Sequence, residues 1–166
     1  MKRVSWPAAV LLLLALLAGC SVTPTGVRAA GQAPGGVAPG PTLYYVDAGE
    51  HLHPQVRLTG QLGTVAEALS ALLSGPPGVP GETGLHTEIA NAGVTQVVVT
   101  VKPGVLELIV PLSVNDVSAL GIEQIVCTAL GVHVQGGGST SAKVQLEFTQ
   151  PTAQSDQLRT CPLIAG

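Results

Sequence analysis

His51-x-His53 is the pair of side chains best spaced to hold a metal ion in this chain. On a strand, residues i and i+2 share a face, so both imidazoles could reach one ion. No third ligand lies close in sequence, and Glu50, His86 and His133 would join only through folding. Two surface histidines at a turn is therefore the reading taken, with no metal and no cofactor expected. Gly136-Gly137-Gly138-Ser139-Thr140 lacks the Gly-Lys-Ser/Thr that opens a helix in a phosphate cradle, and reads as a linker. No serine sits in Gly-x-Ser-x-Gly. The carboxylates stand singly, with no recognisable acid/base pair. Glu67 has the spacing of a helix cap, and Asp116 marks a helix start. Arg57 could pair with Asp47 or Glu50 across the first turn as a structural ion pair. No catalytic residue is expected.

The remaining reactive side chains are three thiols, at Cys20, Cys127 and Cys161. Met1-Lys2-Arg3 is basic, and residues 8–18 are an unbroken apolar run of 11. A bilayer span needs about 20 such residues, so this run has the length of a signal peptide's apolar region. It closes on Leu17-Ala18-Gly19-Cys20, which resembles the bacterial lipobox. That resemblance implies transfer of a diacylglyceryl group to the Cys20 thiol and cleavage before it. Residues 1–19 would then be a lipoprotein signal peptide, and membrane lipid would hold the chain through Cys20. Two acyl chains anchor stably where one binds only marginally. Cys127 and Cys161 are left as an even pair in an exported chain, which favours a disulfide between them.

Cleavage before Cys20 leaves 147 of the 166 residues, with 5 basic and 10 acidic side chains. That balance argues against a nucleic-acid partner, which needs a basic face to displace counterions. Tyr44, Tyr45 and Phe148 are the aromatic residues of this part, too few for a platform that stacks sugars or bases. The core must come from Val, Leu, Ile and Ala. Residues 20–41 hold the lipid-bearing cysteine and a linker rich in Gly, Pro and Ala, with Arg28 its one charge. Such a segment cannot bury a core, and it would lift the folded part, residues 42–166, off the headgroups.

The elements follow from periodicity. Residues 42–46 read as a strand and 52–58 as a short extended return, with Pro54 placing it at an edge. Residues 64–74 read as a helix with Thr64 and Glu67 at capping-box spacing and Val65, Leu69, Leu72 and Leu73 as its stripe. Residues 78–90 read as a loop with Leu85 and Ile89 pinned to the core. Residues 94–101 and 105–110 flank Lys102-Pro103-Gly104 as a hairpin. Both strands are apolar on nearly both faces, which places them centrally in a covered sheet. Residues 118–130 read as a second helix facing the core through Ile122, Ile125, Val126, Ala129 and Leu130, with Gly131 at its end. Cys127 falls off that stripe and can face a neighbouring segment. Residues 143–148 alternate Val144, Leu146 and Phe148 inward with Gln145 and Glu147 outward. The expected fold is α/β (α+β): a small mixed β-sheet with two helices packed on one face.

Five short words now stand in order: Leu43-Tyr44-Tyr45-Val46, Ala71-Leu72-Leu73-Ser74-Gly75-Pro76, Gly84-Leu85-His86-Thr87-Glu88-Ile89, Val105-Leu106-Glu107-Leu108, and Glu123-Gln124-Ile125-Val126-Cys127-Thr128-Ala129. Together they resemble the GerMN domain of sporulation and spore germination proteins, over residues 42–148. His51-Leu52-His53-Pro54 stands where that family has a Val-Pro-Val run. The resemblance implies a non-catalytic module of the cell envelope, linked to sporulation, germination or wall processes. The expected protein is a lipid-anchored lipoprotein on the extracytoplasmic face of the cell membrane, with an envelope protein as partner. A small ligand or metal carrier is the alternative, and a wall enzyme stands behind it. Residues 143–148 and the first strand around Tyr44 are the sheet edges expected to dock a partner.

Overall fold

A computed structural model describes residues 39–78, 83–91 and 93–164. The expected signal peptide, Cys20 and the linker as far as residue 38 lie outside the described residues. Leu43-Tyr44-Tyr45-Val46 buries every side chain in β1 (Thr42–Val46), which pairs antiparallel with β2 (Leu52–Val56). These two strands form a sheet of their own. Pro54 sits mid-strand in β2, opposite Tyr44. It brings no N–H donor, so β2 is an edge that discourages further pairing.

Thr64 starts α1 (Val65–Leu73). Its hydroxyl accepts from the Glu67 N–H at 3.2 Å, while the Glu67 carboxylate accepts from the Thr64 N–H at 2.7 Å. The Thr64 amide and hydroxyl hold the Glu67 carboxyl below its ordinary range. The capping box is therefore as the spacing predicts. Leu69 and Leu72 are fully buried, Val65 and Leu73 partly so, and Ala68 joins the buried face. Thr64→Ala removes the cap oxygen and is expected to cost about 1 kcal/mol of stability. A urea titration that moves by less than a quarter of that would count against the cap.

Four strands form the main sheet in the order β3-β4-β5-β6: β3 (Val98–Lys102), β4 (Val105–Ile109), β5 (Lys143–Glu147) and β6 (Leu158–Arg159). β3 and β4 are antiparallel across Pro103-Gly104, and Gly104 takes φ 73°, a value that suits glycine at the third position of a type II turn. β5 runs parallel to β4, Leu106 beside Val144 and Leu108 beside Leu146. A parallel pair needs a long crossover. Here that crossover contains a 3₁₀ turn (Val114–Asp116) and α2 (Ala119–Gln135). The expected α+β class is what forms: a mixed sheet, two helices and the separate first hairpin.

Three local expectations are corrected. The hairpin strands do not both sit centrally. The crossover lays β5 against β4, so β4 is internal and β3 becomes an edge, with Val98 54% and Val101 66% exposed. The strand at 143–147 is not an edge either, because β6 pairs antiparallel with it through Val144–Arg159 and Gln145–Leu158. The second helix does not end at Gly131 but continues four residues further. Gly131 is buried inside it, where a Cβ would lie 3.2 Å from the Tyr44 ring. The glycine serves the close approach of β1 to the helix, and packing overrides its helix-breaking tendency. Gly136 and Gly137 end the helix instead, Gly137 with φ 89°.

α2 packs against β1, α1 and β5. From Gly121 to Val132 every residue except Glu123 is buried, so the expected stripe is in fact nearly the whole circumference. Leu106, Leu108, Val144, Leu146 and Phe148 turn one sheet face into this core. Each such side chain taken from water contributes about 2 kcal/mol. The other sheet face is open, with Val98, Ile109 and Leu158 among its exposed residues.

Candidate functional site

The polar residues of the helix-2 word close the free edge of β1. The Tyr44 N–H donates to Thr128 Oγ1 at 3.0 Å, and the Tyr44 carbonyl accepts from Gln124 Nε2 at 3.0 Å. The Thr42 N–H donates to Gln135 Oε1 at 3.0 Å. Val46 and His86 exchange both backbone bonds, at 2.9 and 2.8 Å. Gln124 Oε1 also accepts from the Glu88 N–H at 2.8 Å, which ties the 84–89 segment to the same helix. Gln124 and Thr128 have no exposed surface. A buried backbone group without a partner is costly, so side chains here do the work of a missing neighbour strand. The first strand is therefore not a docking edge, contrary to the expectation, because its outward groups are already satisfied. Ile89 is buried and Leu85 partly buried against the core, as expected.

The histidine pair gathers no third ligand among the described residues. His51 lies at the turn before β2, 3.7 Å from Asp47 Oδ1, with its side chain 82% exposed. His53 is exposed on β2 opposite Tyr45. His86 instead approaches Glu88 at 3.4 Å. Among the described residues, no three His, Cys, Asp or Glu side chains gather as a ligand set. Asp47 accepts the His51 and Gly49 amides, which hold its carboxyl below its ordinary range. It shapes the turn. Arg57 does not pair with Asp47 or Glu50. It donates to the Ala71 carbonyl near the end of α1 and lies by the Tyr45 ring, whose hydroxyl burial raises above its ordinary pKa and Arg57 partly lowers.

Cys127 and Cys161 stand at disulfide distance, with Sγ atoms 2.05 Å apart and Cα atoms 4.9 Å apart. Both are buried. Cys127 leaves the helix toward the tail, as its position off the core stripe predicts. Beside this staple a half-open cleft of ≈ 450 Å³ separates α2 from the tail, walled by Val117, Ile122 and Val126 and rimmed by Glu123, Gln157 and Arg159. Arg159 is already engaged, donating to Gln154 Oε1 at 2.8 Å. β6 and this cleft escaped the sequence reading, because the alternation of a two-residue strand carries no periodic signal.

β3 is the longer of the two outer strands of the main sheet, and its outer backbone edge is open. Outside the β3–β4 ladder, no backbone hydrogen bond among the described residues reaches residues 98–102. The one charge on the strand, Lys102, forms an ion pair with Glu107 of β4. Comparison with family models, curated proteins and solved structures returns no match.

Proposed function

We propose that this chain is a lipid-anchored lipoprotein, held through Cys20 on the extracytoplasmic face of a cell membrane. Its folded part acts there by binding another protein of the envelope. The module is of GerMN type, serving sporulation, germination or cell-wall processes. One observation carries the reading: the apolar run that closes on Leu17-Ala18-Gly19-Cys20 behind a basic start. The distribution of side chains supports the non-enzymatic part. Gln124 and Thr128, two polar side chains of the quoted words, bond to the backbone of β1. The carboxylates at Glu67, Asp116 and Asp47 serve caps and a turn. An anchored module also meets its partner on a shared surface, where effective concentration is high and modest affinity suffices.

Substituting Cys20→Ser tests the anchor. The wild-type chain is expected to incorporate labelled lipid and to fractionate with membranes. The substituted chain is expected to carry no label, and either to persist as uncleaved precursor or to be released. Equal lipid labelling of the Cys20→Ser chain would end the proposal.

A further inference from the structure

We infer that β3 pairs with β3 of a second copy of this chain, antiparallel and centred on Thr100, joining two four-stranded sheets across a twofold axis. The inference takes from the proposed function only that copies share a membrane surface.

Natural edges are blunted by proline, by charge, by shortness or by a cover. β2 carries Pro54, β6 has two residues, and β1 is sealed by side chains. β3 carries no proline, and among the described residues no backbone hydrogen bond covers its free edge. Its residues Val98-Val99-Thr100-Val101 are β-branched without exception, and its one lysine stands at the strand end, neutralised by Glu107.

The register fixes how a second copy would pair. Lys102 lies opposite Val105 across a two-residue turn, so Lys102, Thr100 and Val98 are the residues whose amides face β4. Val99 and Val101 then point their N–H and C=O groups out of the sheet. A twofold axis at Thr100 sets Val99 opposite Val101 of the other copy, so these outward groups bond to one another. It uses the whole strand and leaves Pro103, which has no N–H, outside the ladder. Val98 faces Lys102 of the other copy, and the two lysines stand about 13 Å apart along the strands, at about 3.3 Å per residue. A parallel arrangement in register would instead place the lysines side by side, which is repulsive. Antiparallel pairing thus matches apolar residues along the strand and keeps the two lysines apart.

Residues directly opposite at a non-hydrogen-bonded antiparallel position lie close enough for a disulfide. The test uses the full-length chain in membranes, with Thr100→Cys, and with Gln150→Cys as an exposed site away from the edge. Mild oxidation followed by non-reducing electrophoresis should give a covalent homodimer from Thr100→Cys at about ten times the yield from Gln150→Cys, given that proximity. Adding Val101→Lys, at a position 66% exposed and so tolerant of the change, should reduce the yield to that of Gln150→Cys. Equal yields from the two cysteine variants would overturn the inference, as would capture of a different protein by Cys at position 100, or a homodimer indifferent to Val101→Lys. Lipid labelling of the same samples reports the anchor separately, so loss of the dimer leaves the proposed anchoring standing or falling on its own readout.

Discussion

Replacing Cys127 and Cys161 together by alanine is expected to lower the stability of the folded part by about 4 kcal/mol. The two residues are 34 positions apart, so their bond closes a loop of roughly 35 residues and removes that loop's freedom from the unfolded chain. The native tail has little else to hold it. Its strand, β6, makes two residue pairs with β5, and Leu158 is half exposed. Loss of the bond should therefore show in two ways. Urea unfolding of the double variant should move to a lower midpoint, and thermal unfolding should fall by roughly 10–20 °C. Amides of residues 158–161 should exchange faster than those of β4, because the tail would open before the rest. A double variant within 1 kcal/mol of the wild type would show that the tail is held by its other contacts.

Gln124→Leu carries the next largest expected loss, about 2–4 kcal/mol, despite adding an apolar side chain of similar size. The amide of Gln124 holds two backbone groups that have no other partner: the Tyr44 carbonyl, and the Glu88 N–H at 2.8 Å. Leucine would leave the Tyr44 carbonyl buried without a partner and the half-buried Glu88 N–H without its acceptor. Each orphaned group costs about 1–3 kcal/mol, and the interior makes the loss larger than a surface bond would suggest. The prediction has a local signature besides stability. The Glu88 amide should lose its protection from hydrogen exchange, while Leu106 and Leu146 in the main sheet should be affected only through global unfolding. Thr128→Val should give the same kind of loss at a smaller size, since one donor, the Tyr44 N–H, is orphaned. An unchanged Glu88 exchange rate in Gln124→Leu would refute the role assigned to this side chain.

Local chemistry in the sequence made part of this fold legible. Thr64 and Glu67 announce the first helix because capping acts within four residues. Lys102-Pro103-Gly104 announces the hairpin because its third turn position needs a positive φ. Val144, Leu146 and Phe148 announce the inward face of β5 because a strand alternates. The features that were missed depend on distant neighbours. Glycine is a local stop signal, so the sequence ends the second helix early, whereas Gly131 answers to the ring of Tyr44, far off in sequence. The valines of β3 suit burial, so the sequence reads as an inner strand. Nothing local shows that the parallel crossover would seat β5 on the other side of β4. The expected docking edges failed for a related reason. The partners of β1 are side chains of α2, and a strand sealed by Gln124, Thr128 and Gln135 looks open in sequence.

The site was less legible than the fold. The paired thiols follow from counting, but of the two histidines only His51 stands at the turn, with His53 inside β2, and the cleft beside Arg159 needs a tail that only folding brings to the helix. The open edge at β3 is likewise a consequence of strand order.

The anchor is the claim on which the functional account rests, and the mass of the mature chain tests it most directly. The protein should be isolated from the membrane and its N-terminal peptide weighed. The account predicts a first residue of Cys20, with its sulfur carrying a diacylglyceryl group. A chain that begins elsewhere, or one that begins at Cys20 with a free thiol, would contradict it.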